Sequence, residues 1–140
     1  MVQMIVGEKG KGKTKELLER VNSQVKTASG TICYLDKSTK HMFELNNKVR
    51  LINVSDYLIT NADQFAGFIC GIISQDHDLE QMYLDSFLKI SCTEGGGDYV
   101  SLVKKLDEIG KTFGVGFVLS LSVPADTVPE EIKEFVAIAL

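Results

Sequence analysis

The chain has 140 residues, enough for one hydrophobic core and too few for two ordinary domains, so residues 1–140 are read as a single domain. With 44% hydrophobic and 24% charged residues it has the composition of a globular protein, neither disordered nor built to sit in a bilayer. A net charge of −4 argues against general nucleic-acid binding, which needs a basic face, although it leaves room for a local basic pocket.

Val2–Val6 is a short apolar run that reads as a buried strand, and a glycine-rich loop follows it. From Lys13 the period changes: Leu17, Leu18, Val21 and Val25 recur at helical spacing with charged residues between them, and Gly30 stands where a helix C-cap would. Thr31–Leu35 reads as a second strand ending at Asp36. The runs His41–Leu45 and Val49–Val54 flank Asn46-Asn47-Lys48, and because Asn tolerates positive φ this reads as a small β-hairpin.

Asn61–Ser74 reads as a helix apolar on most faces and therefore well buried. Gly67 and Gly71 leave one of its faces bare, open to close packing against a sheet or a partner, whether another protein or a second copy. Gln81–Leu84 is a short strand ending at Asp85, and Ser91–Gly97 is a flexible loop. Asp98 caps a helix with Leu102, Val103, Leu106 and Ile109 on one face. Val115–Val123 is a further strand, and Pro129 opens a last helix with Ile132, Phe135, Val136 and Ala139 inside. Strands alternating with helices predict a three-layer α/β fold: a mostly parallel sheet of about five strands with helices on both faces.

Cys33, Cys70 and Cys92 are far apart and form no CxxC pair, so they read as reduced thiols. The start shows no charged segment leading into an apolar one, and no apolar run reaches the roughly 18 residues of a membrane span. The expectation is a soluble, cytoplasmic protein.

The stretch MIVGEKGKGKT carries the chemistry. Gly7-x-x-x-x-Gly12-Lys13-Thr14 matches G-x-x-x-x-G-K-[ST] in full, and it follows a strand and opens a helix, as that motif must. With glycine at about 7% of residues, a chain of this length matches by chance on the order of once in two hundred. Gly7, Gly10 and Gly12 let the backbone curl so that N–H groups point inward, forming an anion nest with the helix N-terminus. Lys13 is placed to reach β- and γ-phosphates, and the Thr14 hydroxyl to take a position on Mg²⁺. Lys9 and Lys11 add positive potential at the mouth, and Glu8 and Lys15 complete the expected nucleotide-binding segment.

On these residues the chain resembles the P-loop NTPase superfamily over most of its length. The order GEKGKGKT, YLD, YLDSFLKI and VLSLSVPADTVPEEIKEF is also similar to a group of small stand-alone bacterial ATP-binding proteins, sometimes loosely labelled twitching-motility ATPases. The true motility ATPases are far longer and carry an acidic box and a histidine box that this sequence lacks. Glu8 stands where partition and nitrogenase-type ATPases have a second lysine, which argues against that variant class.

The resemblance implies an Asp at the end of a neighbouring strand to hold Mg²⁺. Three runs end in Asp, at Asp36, Asp56 and Asp85. Asp85 is preferred: it follows the buried helix and starts the short run Ser86–Ile90, as the third strand of such a core would, although a helix N-cap is its other reading. The next residue is Ser86, where efficient ATPases of the larger subgroup carry a water-orienting Glu, so fast hydrolysis is not expected. Asp36 is a candidate substitute base, or a plain turn residue in Asp36-Lys37-Ser38. Ser120 and Ser122 sit late in a strand, where a polar side chain senses γ-phosphate in related ATPases or simply belongs to the strand. Arg20 reads as solvated and Arg50 as a surface residue of the hairpin.

Three functions follow as alternatives. The first is a slow NTPase or nucleotide-dependent switch that changes the order of the Ser91–Gly97 loop. The second is a small-molecule or nucleotide kinase, and the third a nucleotide-binding module without chemistry. The absence of N-K-x-D leaves ATP as the expected ligand, on frequency alone, with Mg²⁺.

Overall fold

The computed structural model describes residues 1–95 and 98–140. Among these are six strands: β1 (Val2–Val6), β2 (Thr31–Asp36), β3 (Arg50–Asn53), β4 (Leu79–Leu84), β5 (Gly116–Leu121) and β6 (Val136–Ala139). The helices are α1 (Lys13–Gln24), α2 (Ala62–Ser74), α3 (Phe87–Ile90) and α4 (Tyr99–Phe113), joined by short 3₁₀ turns. The strands form one sheet in the order β3-β2-β4-β5-β1-β6, and every ladder is parallel.

Side chains alternate across a strand, so each central strand feeds two cores. Ile5, Ile32, Tyr34, Tyr83 and Val118 pack with Leu17, Leu18 and Val21 of α1 on one face. Met4, Cys33, Leu35, Met82, Leu84, Phe117 and Leu119 pack against α2 and α4 on the other. The chain paths agree with this division. The connections heading toward β3 carry α1, Leu45 and Val49 and lie on the first face; those heading toward β6 carry α2, α4 and Ile132 and lie on the second. A single crossover hand requires a change of face whenever the direction of travel reverses. The result is a three-layer α/β domain.

Several expectations are corrected. There is no hairpin: His41–Leu45 contains a 3₁₀ turn (Met42–Glu44), and β3 pairs in parallel with β2. Asn46 does turn the chain, through its side chain, which accepts from the Lys48 N–H at 2.9 Å. Pro129 does open a helix with Ile132 buried, but it is a short 3₁₀ helix (Glu130–Phe135), and Val136–Ala139 leaves it as β6, which extends the sheet beyond β1 and brings the strand count to six.

The run Ser86–Ile90 forms α3 rather than an extended segment. Helix α2 buries only Phe65, Ala66, Ile69 and Ile73, while Gly67 and Gly71 face open space on its exposed side and do not approach the sheet. The start of the Ser91–Gly97 loop is packed, with the Ser91 and Thr93 hydroxyls buried 2.8 Å apart. Gly96 and Gly97 lie outside the described residues. The caps expected at Asn61 and Asp98 are present, each side chain accepting a helix N–H.

Gly30 is not a C-cap, because α1 ends at Gln24. Its glycine identity has another cause: a Cβ here would lie 2.0 Å from the Asp78 carbonyl oxygen and 2.9 Å from Glu80 Cγ. That carbonyl accepts the Thr31 N–H at 2.8 Å, at the start of the β2–β4 ladder, so it cannot retreat without opening the ladder. Gly30→Ala is therefore expected to cost about 1–3 kcal/mol, the range of overpacking, measured by urea unfolding.

Candidate functional site

The six strands share one direction, so their C-terminal ends lie along one edge of the sheet. The connection from β1 leaves toward β3, whereas that from its neighbour β5 leaves toward β6, which opens a crevice at this switch point. The glycine-rich loop follows β1 into this crevice, and α1 starts there. Gly12 is the N-cap of α1 with φ 95°, and Gly10 has φ 86°; both are left-handed conformations that a Cβ disfavours. No side chain caps the first turn of α1, so its leading N–H groups are available to an anion.

A cleft of about 480 Å³ occupies this position. Six of the expected segment's residues line it: Lys9, Gly10, Gly12, Lys13, Thr14 and Lys15. Gly7 is buried, where a Cβ would come within 3.1 Å of Leu140, and Lys11 is exposed and does not line the cleft. Glu8 contributes its carbonyl, which accepts from Lys13 Nζ at 3.0 Å. Lys13 is only 8% exposed. Burial lowers its pKa, and the nearby Asp85 charge partly restores it.

Period-two alternation decides which strand residues reach the cleft. Tyr34 and Asp36 on β2, Tyr83 and then Asp85 after β4, and Val118 and Ser120 on β5 all share the α1 face. Asp85 is 2% exposed and is enclosed by donors. Its Oδ1 accepts from Thr14 Oγ1 at 3.2 Å, Ser120 Oγ at 2.7 Å and the Ser86 N–H at 2.8 Å, and its Oδ2 accepts from the Tyr34 hydroxyl at 2.7 Å. Ser86 takes left-handed angles, φ 52° and ψ 49°, at a cost of roughly 1–2 kcal/mol for a residue with a Cβ. That geometry lets its N–H serve both Asp85 and Ser120 Oγ, the latter at 2.9 Å. Asp85 thus precedes α3 but does not act as its N-cap, a position held by Ser86.

Asp36 stands at the end of β2, one strand over, and also lines the cleft. It too is 2% exposed. Its Oδ1 accepts the Lys37 N–H at 2.7 Å, whereas Oδ2 is buried with no partner among the described residues. Burial first, and the Asp85 charge second, push its pKa up against the opposing charges of Lys37 and His41. An acid with a raised folded-state pKa binds more protons folded than unfolded, so stability falls as pH rises from the ordinary carboxylate range to the raised value. In Asp36→Asn that part of the decline is expected to vanish, read as the difference between wild-type and variant unfolding free energies from about pH 4 upward.

Asp56 lies in an exposed 3₁₀ turn and does not line the cleft. Arg20 bonds Gln3 at 3.2 Å, away from the cleft, and Arg50 pairs with Asp76 at 3.1 Å on edge strand β3. In comparisons with known families and curated proteins, no family model and no curated protein matches this chain.

Two participants were not expected in these roles. Tyr34 reads in the sequence as an apolar strand residue, yet burial together with the Asp85 charge and hydrogen bond raises its pKa, so the phenol stays protonated and donates. Ser120, expected to sense a phosphate or do nothing, holds the carboxylate. Their two-residue offsets from Asp36 and Ser122 were the available signal. The cleft is also strongly basic for a chain of net −4: Lys9, Lys13, Lys15, Lys37, Lys40 and Lys89 line it, against Asp36, Asp85 and Glu94.

Proposed function

We propose that this cleft binds a nucleoside triphosphate, ATP by preference, together with Mg²⁺, and that the chain works as a slow NTPase or nucleotide-dependent switch of the P-loop type. The observation that carries this reading is the 3.2 Å contact between Thr14 and Asp85. It joins a hydroxyl in the first turn of an uncapped helix, directly after a glycine-rich loop, to a buried carboxylate two strands away from β1. A hydroxyl and a carboxylate held together beside the glycine-rich loop would suit a hard divalent cation. Thr14 and Asp85 are the residues that would hold Mg²⁺, which when bound would neutralise charge on the β- and γ-phosphates.

The protein's own groups have separable tasks. The N–H groups of the loop and α1 orient the phosphates, and Lys13 supplies a cation that moves from the Glu8 carbonyl to a phosphate oxygen. Tyr34, Ser120 and the Ser86 N–H donate to the Asp85 carboxylate and fix its position. Ser86 itself offers no carboxylate to orient water, which supports slow rather than fast hydrolysis.

Calorimetric titration with ATP and Mg²⁺, followed by single-turnover hydrolysis of labelled ATP, tests this. Tight binding with slow phosphate release is expected. Binding without release over hours would reduce the function to a nucleotide-binding module, and absence of binding would remove the reading altogether.

A further inference from the structure

Strand β3 ends the sheet, and no strand pairs with its outer side among the described residues. Such an edge holds out unpaired N–H and C=O groups, a template for another strand, which native proteins blunt with charge, a bulge or a covering loop. β3 has little of this protection. Its ladder to β2 runs without a register shift, and its one charged residue, Arg50, is tied to Asp76 at 3.1 Å. Leu51 packs into the core under α1 and Ile52 into the core under α2, yet both stay half-buried. Each core is therefore incompletely closed on this side.

The surroundings of β3 are apolar as well. Of the seven large hydrophobic side chains exposed among the described residues, four lie on the connections into and out of β3: Met42, Phe43, Tyr57 and Leu58. Phe43, 92% exposed, belongs to the connection that enters β3 over the α1 face. Leu58, 85% exposed, belongs to the connection that leaves over the other face, and it is held at φ 60°, which a Cβ disfavours. Beside it Tyr57 packs on Phe68 of α2, with ring centroids 5.4 Å apart. Charge then chooses the occupant of this edge. Lys48 precedes β3 and Asp56 follows it; both are exposed, and neither joins an ion pair among the described residues. The two are equally far in sequence from Ile52. A second copy laid antiparallel about Ile52 brings Lys48 of each chain to Asp56 of the other, whereas a copy laid parallel sets like charges side by side.

We propose that the chain forms a homodimer in which β3 pairs antiparallel with β3 of a second copy, about a two-fold axis near Ile52, so that two sheets become one. Both copies present the same patch, so the contact closes on itself and leaves neither β3 edge free. The axis stands perpendicular to the sheet. Like faces therefore adjoin, and the exposed groups beside β3, Leu58 above all, gain an apolar neighbour. Strands of the two copies run in opposite directions, so the two clefts open at opposite edges of the joined sheet and neither is covered. The dimer needs no nucleotide, and the inference stands apart from the nucleotide reading.

Sedimentation equilibrium over a wide range of protein concentration tests this. A mass of two chains is expected without nucleotide, unchanged on adding ATP with Mg²⁺. Leu58→Asp should weaken the dimer roughly tenfold or more, because an apolar side chain is lost from both halves of the contact. The fold should tolerate it, since the position is exposed and Asp accepts left-handed angles. Lys48→Glu and Asp56→Lys should each weaken the dimer roughly tenfold, since two attractive pairs become repulsive. Mixed in equal amounts, these two variants should regain the wild-type affinity, because every pair across the axis again joins opposite charges. A single-chain mass at all concentrations would overturn the proposal and leave the edge to a different protein or to solvent. An open series of larger masses, or a dimer that forms only with nucleotide, would overturn it too. So would a dimer indifferent to Leu58→Asp, or charge variants that stay weak when mixed.

Discussion

Lys13→Ala is expected to weaken binding of ATP with Mg²⁺ roughly ten- to hundredfold while leaving the protein folded. The magnitude follows from the interactions at stake. Hydrogen bonds to a charged group contribute about 1.5–3 kcal/mol, and each 1.4 kcal/mol is tenfold in affinity. The ammonium is partly desolvated, its pKa lowered by burial, so part of its solvation has already been given up before a phosphate arrives. In the free protein it donates to the Glu8 carbonyl at 3.0 Å, in a loop whose neighbouring residues are exposed. Water can replace that donor, so the fold should lose no more than about 1 kcal/mol, a few degrees in melting temperature. Calorimetry and thermal unfolding on one preparation separate the two effects. Unchanged affinity would mean that the loop does not cradle phosphate.

Much of the frame that positions this lysine was legible because it is encoded locally. The loop needs glycine at Gly10 and Gly12 for positive φ, and the helix behind it carries Leu17, Leu18 and Val21 on one face, so strand, loop and helix announce themselves within a few turns of chain. The misreadings concern partners chosen across long distances. Ile132, Phe135, Val136 and Ala139 fit a helical period, but the free edge of β1 offers backbone hydrogen bonds to an extended Val136–Ala139, and pairing overrides the pattern. Asn46 signals a turn correctly, yet nothing local says whether the strand after it folds back on its neighbour or crosses over to run parallel with β2.

The site shows the same division. Asp36 and Asp85 are visible as acids ending apolar runs, but their meeting in one cleft depends on β2 and β4 being adjacent, with Leu35 opposite Leu84. Tyr34 illustrates the remainder. A buried tyrosine in a strand is ordinary core until its hydroxyl is known to end 2.7 Å from a carboxylate. The parity that puts Tyr34, Asp36, Asp85 and Ser120 on one face can be counted in the sequence once the strands are known to be parallel and in register.

That enclosure makes Asp85→Asn the second large effect expected. The substitution keeps size and shape but removes the charge that Thr14, Ser120, the Ser86 N–H and Tyr34 all address. If the amide oxygen replaces Oδ1, the amide nitrogen faces the Tyr34 hydroxyl, which then accepts instead of donating and leaves its own proton without the carboxylate. Charge-assisted bonds become neutral ones, and a stability loss of about 1–3 kcal/mol is expected by urea unfolding. Tyr34→Phe should soften it, since the phenol has lost its acceptor, and a double-mutant cycle would read that coupling. Two further readouts distinguish a ligand of Mg²⁺ from a merely structural acid. Wild-type affinity for ATP should rise on adding Mg²⁺, whereas Asp85→Asn should bind about equally with and without it.

Independently of any nucleotide, the Asp85 charge is the second cause holding the Asp36 pKa up, after burial. Its removal lowers the Asp36 pKa without returning it to the ordinary value. The interval over which stability declines with rising pH then narrows from its upper end. A decline of unaltered width in Asp85→Asn would mean that the two carboxylates do not sense each other and that their shared cleft is not the electrostatic unit described here.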